Sequence, residues 1–145
     1  MQSEAMIREV ARQFATGLDR NDFQAVEALL SPDCIYDLSP GLLLGPSQII
    51  ESYQSNDARA RPLFDHIGYQ SEVLEVHGQS ALIKFVDQLE KGGLRYAHAC
   101  LQRITVSPAG QIERIVQVDS PEEQIALRAY FMAVGLLPNS PTGVA

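Results

Sequence analysis

Three histidines, His66, His77 and His98, are the side chains of this sequence whose ordinary titration falls near neutrality. None is spaced from another histidine or a cysteine in a metal-ligand motif, so no metal is expected. Acid/base chemistry is what remains for them. Asp19 with His66 would make a dyad in which the carboxylate fixes the imidazole tautomer and stabilises the imidazolium formed when the ring takes a proton. The plainer alternative is that Asp19, in a turn between helices, caps one of them. Asp87 with His98 reads first as a structural pair bridging two strands. Tyr36 could donate its hydroxyl to a substrate oxygen, or pack as strand tyrosines do with a wet tip. His77 beside Gly78 belongs to a solvent-facing turn, and Arg59 and Arg61 to the solvated last turn of a helix.

The elements that must position these groups follow from periodicity. Ile7, Val10, Ala11, Phe14 and Leu18 recur at three- and four-residue spacing, one face of a helix from Glu4 to Leu18. Phe23, Val26, Leu29 and Leu30 resume the pattern in a second helix that ends at Ser31-Pro32, with Asn21 or Asp22 as its cap. Cys34 to Leu38 is a short strand, followed by a Pro40-Gly41 turn. Gly45-Pro46 opens a third helix, with Ile49, Ile50 and Tyr53 inward, which must stop before Pro62.

Beyond Pro62 the period falls to two. Leu63 to Val76 is extended, with a parity slip near Gly68 that suggests a bulge. Ala81 to Glu90, Leu94 to Val106 and Gln111 to Val118 complete an antiparallel meander turned at His77-Gly78, Lys91-Gly92-Gly93 and Ser107-Pro108-Ala109-Gly110. Ser120-Pro121-Glu122-Glu123 is a capping box that starts a closing helix. The expectation is an α+β domain over residues 1–137, a curved antiparallel sheet with helices over its concave face, and a frayed tail over 138–145. Helices over a bent sheet leave a cone-shaped hollow, the natural place for a ligand.

Hairpin register sets Asp87 opposite either Tyr96 or His98, Gln102 near Gln117, and Cys100 near Asp119. Asp87, His98, Gln102, Gln117 and Asp119 then share a face with Ile83, Phe85, Ile104 and Ile115. Phe14, Phe85, Cys100 and Ile115 join them as the expected lining. Polar groups on an apolar face must satisfy one another or a ligand, because an unpaired one costs roughly 1–3 kcal/mol.

Composition removes several functions. The chain has 145 residues, 46% hydrophobic and 20% charged, which suits one globular domain. Its 11 basic and 18 acidic residues give a net charge of -7, which repels nucleic acid and anionic lipid. Apolar runs of a few residues fall far short of the roughly 20 that a membrane helix needs, and the amino terminus lacks a signal-peptide pattern. A cytoplasmic location is expected. The two cysteines, Cys34 and Cys100, have no C-x-x-C spacing and read as buried thiols.

The order helix, helix, short strand, helix, four-strand meander resembles the SnoaL-like branch of the nuclear transport factor 2-like superfamily, over nearly the whole chain to Leu136. Gly17-Leu18-Asp19-Arg20-Asn21-Asp22-Phe23, with Val26 and Leu29-Leu30, is similar to the segment that holds the catalytic aspartate in scytalone dehydratase, lindane dehydrochlorinase and bile-acid 7α-dehydratase. Asp65-His66-Ile67-Gly68 through Glu75-Val76 is similar to the strand that carries their histidine, and Asp87 falls near a third polar position. The resemblance implies a cofactor-free lyase (dehydratase) or isomerase acting on a small hydrophobic or polycyclic molecule. His66, oriented by Asp19, would abstract a proton from carbon, and Asp87 or Tyr36 would assist. A ketosteroid-type site is not implied: Leu38 stands where its base would be, Asp37 is one residue off, and Gln102 replaces its oxyanion-hole acid. The alternatives are a non-catalytic module for a hydrophobic ligand and a dimerisation domain. A homodimer is expected through the outer sheet face, where Leu82, Val86, Ala97, Ala99 and Leu101 lie.

Overall fold

The computed structural model describes residues 3–137; the expected tail over 138–145 lies outside the described residues. Helix α1, Glu4–Asp19, is capped by Ser3, whose Oγ accepts from the Met6 amide at 3.1 Å. Helix α2, Phe23–Leu29, is capped by Asp22, which accepts from the Ala25 amide at 3.3 Å. Of the two candidate caps Asp22 acts, because Asn21 turns the chain at φ +55°, a conformation asparagine tolerates. The two helices cross closely at Gly17, where an added Cβ would lie 2.6 Å from Val26 Cγ2.

Strand β1, Leu30–Asp37, begins directly after α2, and β2, Leu42–Leu44, folds back on it with Tyr36 opposite Leu43. The sequence pattern missed β2, whose three leucines show no alternation. Helix α3, Gly45–Ala60, has proline in its first turn and yields to a 3₁₀ turn at Arg61–Leu63, so the extended segment starts later than expected. Strands β3, His66–His77, β4, Ser80–Lys91, β5, Leu94–Val106, and β6, Ile112–Val118, form the meander. Helix α4, Pro121–Ala133, follows.

The six strands make one open, curved sheet in the order β2-β1-β6-β5-β4-β3. It is mixed and not wholly antiparallel, because β1 runs parallel to β6, with Tyr36 beside Ile115. The irregularity in β3 lies between Val73 and Glu75, not at Gly68.

On the concave face Ile83, Ile104 and Ile115 meet Ile7, Phe14, Val26 and Ile49 in the main core. A second cluster, Phe64, Leu89 and Tyr130, forms where α4 covers the other end, with Tyr130 stacked on Tyr96 at 5.3 Å. Between the two clusters the inward positions are Asp87 on β4 and His98 on β5. A gap in the apolar layer therefore coincides with polar residues. No described helix is long and apolar enough to cross a membrane.

The Gly17 crossing yields a stability test. Gly17→Ala should gain about 1 kcal/mol of helix propensity and lose about 1–3 kcal/mol to overpacking against Val26, a net destabilisation. In a Val26→Ala background, urea unfolding should show the same substitution neutral or stabilising.

Candidate active site

A cavity of about 300 Å³ opens between the helices and the concave face. Its floor is built by four side chains. Gln102, 5% exposed, donates from Nε2 to the Tyr36 hydroxyl at 2.9 Å and accepts from the Tyr53 hydroxyl at 3.0 Å. Tyr36 in turn donates to Gln117 Oε1 at 3.1 Å. The network joins β1, α3, β5 and β6, and it is uncharged. Burial pushes both phenols upward, so they stay protonated at any ordinary pH. Burial and the Asp87 charge push the neighbouring Cys100 thiol up to about 11, which makes it a poor nucleophile near neutrality.

The wall carries the charges. Asp87 stands directly opposite His98 across β4 and β5, the second of the two registers that the hairpin allowed. Burial raises its carboxyl pKa, His98 opposes the rise, and the Asp19 charge adds to it. Asp19 is the last residue of α1, where a negative charge opposes the helix dipole. Its carboxyl is likewise raised by burial and partly restored by Ser71, whose Oγ donates to Oδ2 at 2.6 Å. At the rim Asp57 accepts from the Tyr69 hydroxyl at 2.7 Å and from Arg61 Nε at 3.0 Å. Burial alone would raise Asp57, but these bonds and Asn21 hold it below the usual carboxylate range. Among the described lining residues there are three carboxylates and no lysine or arginine.

Asp19, Tyr36, Phe85, Asp87, His98, Cys100, Gln102 and Gln117 line the cavity, and Gln102 pairs with Gln117. His66 is not among them. It opens β3 opposite Glu90, its side chain 79% exposed and 4.0 Å from that carboxylate. Ser71, five residues on, lies roughly 16 Å farther along the strand and on the opposite face. The strand begins at His66 and runs unbroken past Gly68, so the parity slip that would have turned His66 inward does not occur there. The Asp19–His66 dyad is therefore not assembled, and Asp19 bonds Ser71 instead.

Three further expectations are corrected. Phe14 is fully buried behind the wall, edge-on to Tyr53 and Phe85, and Ile115 is fully buried in the main core. Asp119 is exposed, because pairing of β5 with β6 ends at Leu101 and Val118. The site residues that sequence reasoning missed are Tyr53, taken as plain core, and Asp57, Tyr69 and Ser71. Tyr69 and Ser71 share parity with Val73, and that alternation was the signal that could have found them.

The raised carboxyl of Asp87 has a consequence for stability. The folded state binds this proton more tightly than the unfolded one, so wild-type stability falls as pH rises from the ordinary value of 3.8 through the raised one. Asp87→Asn cannot ionise. Its stability relative to wild type should increase with pH through that window and level off above it, in urea unfolding at a series of pH values. A pH-independent difference would contradict the placement of this carboxyl.

No family model matches the sequence, and no curated protein matches it. Solved structures do. An LEH-like epoxide hydrolase from M. tuberculosis superposes with a TM-score of 0.63 at 18% identity, over 90% of this chain and 97% of that one. A candidate SnoaL-like polyketide cyclase from Shewanella denitrificans gives 0.65 at 12% identity, over 85% and 97%. A candidate ketosteroid isomerase from Kribbella flavida gives 0.58 at 19%, over 80% of each chain. These likenesses concern the fold: this chain has an α+β cone of the nuclear transport factor 2-like fold, its curved sheet covered by helices on the concave face.

Proposed function

We propose that the cavity is the active site of a cofactor-free acid/base enzyme, a lyase or isomerase, with Asp87 and His98 as its proton-transfer pair. The observation that carries this reading is the placement of Asp87 directly opposite His98 in a gap between two apolar clusters. His98 takes a proton from carbon. Asp87, whose raised carboxyl favours the acid form, gives its proton to a departing hydroxyl, which leaves as water. The water so released relays the proton from the imidazolium to the Asp87 carboxylate, and both groups are reset. Asp19, held by Ser71, supplies a second carboxylate for orienting a substrate hydroxyl. Tyr36 exchanges its bond to Gln117 for one to a substrate oxygen.

The described lining holds no lysine or arginine, and Arg61 at the rim is engaged by Asp57, which disfavours an anionic substrate, while about 300 Å³ suits a molecule of one or two rings. The ligand is therefore an uncharged or cationic small hydrophobic molecule rather than a large polycyclic one. Names among the structural neighbours, cyclase, isomerase and hydrolase, support a small-molecule site on this fold.

The test is hydrogen–deuterium exchange at carbon in heavy water, followed by NMR over a panel of cyclic ketones and β-hydroxyketones. Exchange or elimination should occur with at least one member, and His98→Asn or Asp87→Asn should slow it by about 10²- to 10⁴-fold. Binding that raises the melting temperature without any exchange would instead establish the non-catalytic pocket.

The same reading includes a homodimer through the outer sheet face, where Leu82 and Leu101 are half-buried and lie, by strand alternation, on the side away from the helices. Sedimentation should show a dimer at micromolar concentration that Leu101→Glu dissociates, and a wild-type monomer would overturn it.

A further inference from the structure

We infer that Glu123, in the first turn of α4, is a positioning residue that holds the His98 ring in its Nδ1–H form and so leaves Nε2 as the acceptor. The inference deepens the proposed function, since it concerns the group assigned there as the base.

The capping box at the start of α4 is only half formed. Ser120 Oγ accepts from the Glu123 amide at 3.3 Å, as a cap should. In a complete box the glutamate would reach back to the amide of the cap residue. Glu123 turns to the sheet instead. Its Oε1 accepts from the Ala99 amide at 3.2 Å, and its Oε2 accepts from the Tyr96 hydroxyl. That Ala99 amide is open to a side chain because β6 stops pairing with β5 at Val118 and the chain departs toward α4. Glu123 thus occupies the place that a continued strand would have taken.

The same Oε2 lies 3.7 Å from His98 Nδ1. This is longer than a hydrogen bond, and Nδ1 is buried with no hydrogen-bond partner among the described residues. The His98 side chain is only 12% exposed, with Tyr96 stacked near it at 6.3 Å and Asp87 facing it from β4. A neutral imidazole has one N–H and one lone pair. With a carboxylate oxygen 3.7 Å away, Nδ1 carries the hydrogen, since two lone pairs facing each other in a poorly solvated place repel. Burial alone would raise the Glu123 carboxyl, yet the Tyr96 hydroxyl and Ala99 amide hold it below its ordinary range, so it stays ionised beside the ring.

Two variants labelled with ¹⁵N-histidine test this, read by ¹H–¹⁵N correlation at about pH 8.5, roughly two units above an ordinary imidazole. In wild type the His98 Nδ1 should carry the proton. Glu123→Gln keeps the shape and an oxygen for the Ala99 amide, but its amide group can donate to Nδ1, so the Nε2–H form should become the major tautomer. Tyr96→Phe removes the hydroxyl that competes for Oε2, so the Nδ1–H form should persist, its proton signal moved downfield. An Nε2–H wild type, the same tautomer in Glu123→Gln as in wild type, or loss of Nδ1–H in Tyr96→Phe would each overturn the inference. None of these readouts needs a substrate, so the inference can fail while carbon exchange is observed, and it can hold where none is.

Discussion

Burying one carboxamide shapes this molecule more than any other single demand. Gln102 projects from the middle of β5 onto the concave face, opposite Ile83 and next to Ile104, and it is almost fully enclosed. Each unsatisfied buried polar group costs about 1–3 kcal/mol, so its oxygen and nitrogen must both be answered. Tyr53 answers the oxygen and Tyr36 the nitrogen, and Gln117 then takes the Tyr36 proton. These partners come from α3, β1 and β6. The network therefore ties a helix and a parallel strand to the meander and sets the level at which the core stops and the cavity begins.

Above that floor the physics changes from neutral to charged. Leu89 and Tyr96 lead into the α4 cluster, Phe85 and Cys100 into the main core, and the pair between them is Asp87 and His98. Removing this carboxyl from water raises its pKa, and the facing His98 opposes the rise. Helix α4 closes the far end, and Glu123 brings a second carboxylate to the His98 ring from outside the cavity. The imidazole is thereby set between two acids of opposite tendency, one raised and one lowered.

The neighbours in structure carry hydrolase, cyclase and isomerase names on one cone, at 12–19% identity. A shared fold with such different chemistry means that the lining, and not the architecture, decides the reaction. In this chain the described lining is acidic and phenolic, with one histidine.

Much of this is legible in the amino-acid sequence. The hairpins of the meander turn at glycine and proline within a few residues, so their registers follow from local sequence, and the facing of Gln102 with Gln117, and His98 as one of two candidates opposite Asp87, could be read directly. The helices were legible for the same reason: their period and caps lie within one or two turns of chain. What tertiary structure alone decided were pairings between distant segments. The union of β1 with β6, the addition of β2 and the point at which β3 meets Glu90 depend on hydrogen bonds that no local pattern encodes. Because side chains alternate along a strand, the starting point of β3 settled that His66 faces outward and Ser71 reaches Asp19. The sequence determined which groups could do chemistry, and the long-range register decided which of them meet.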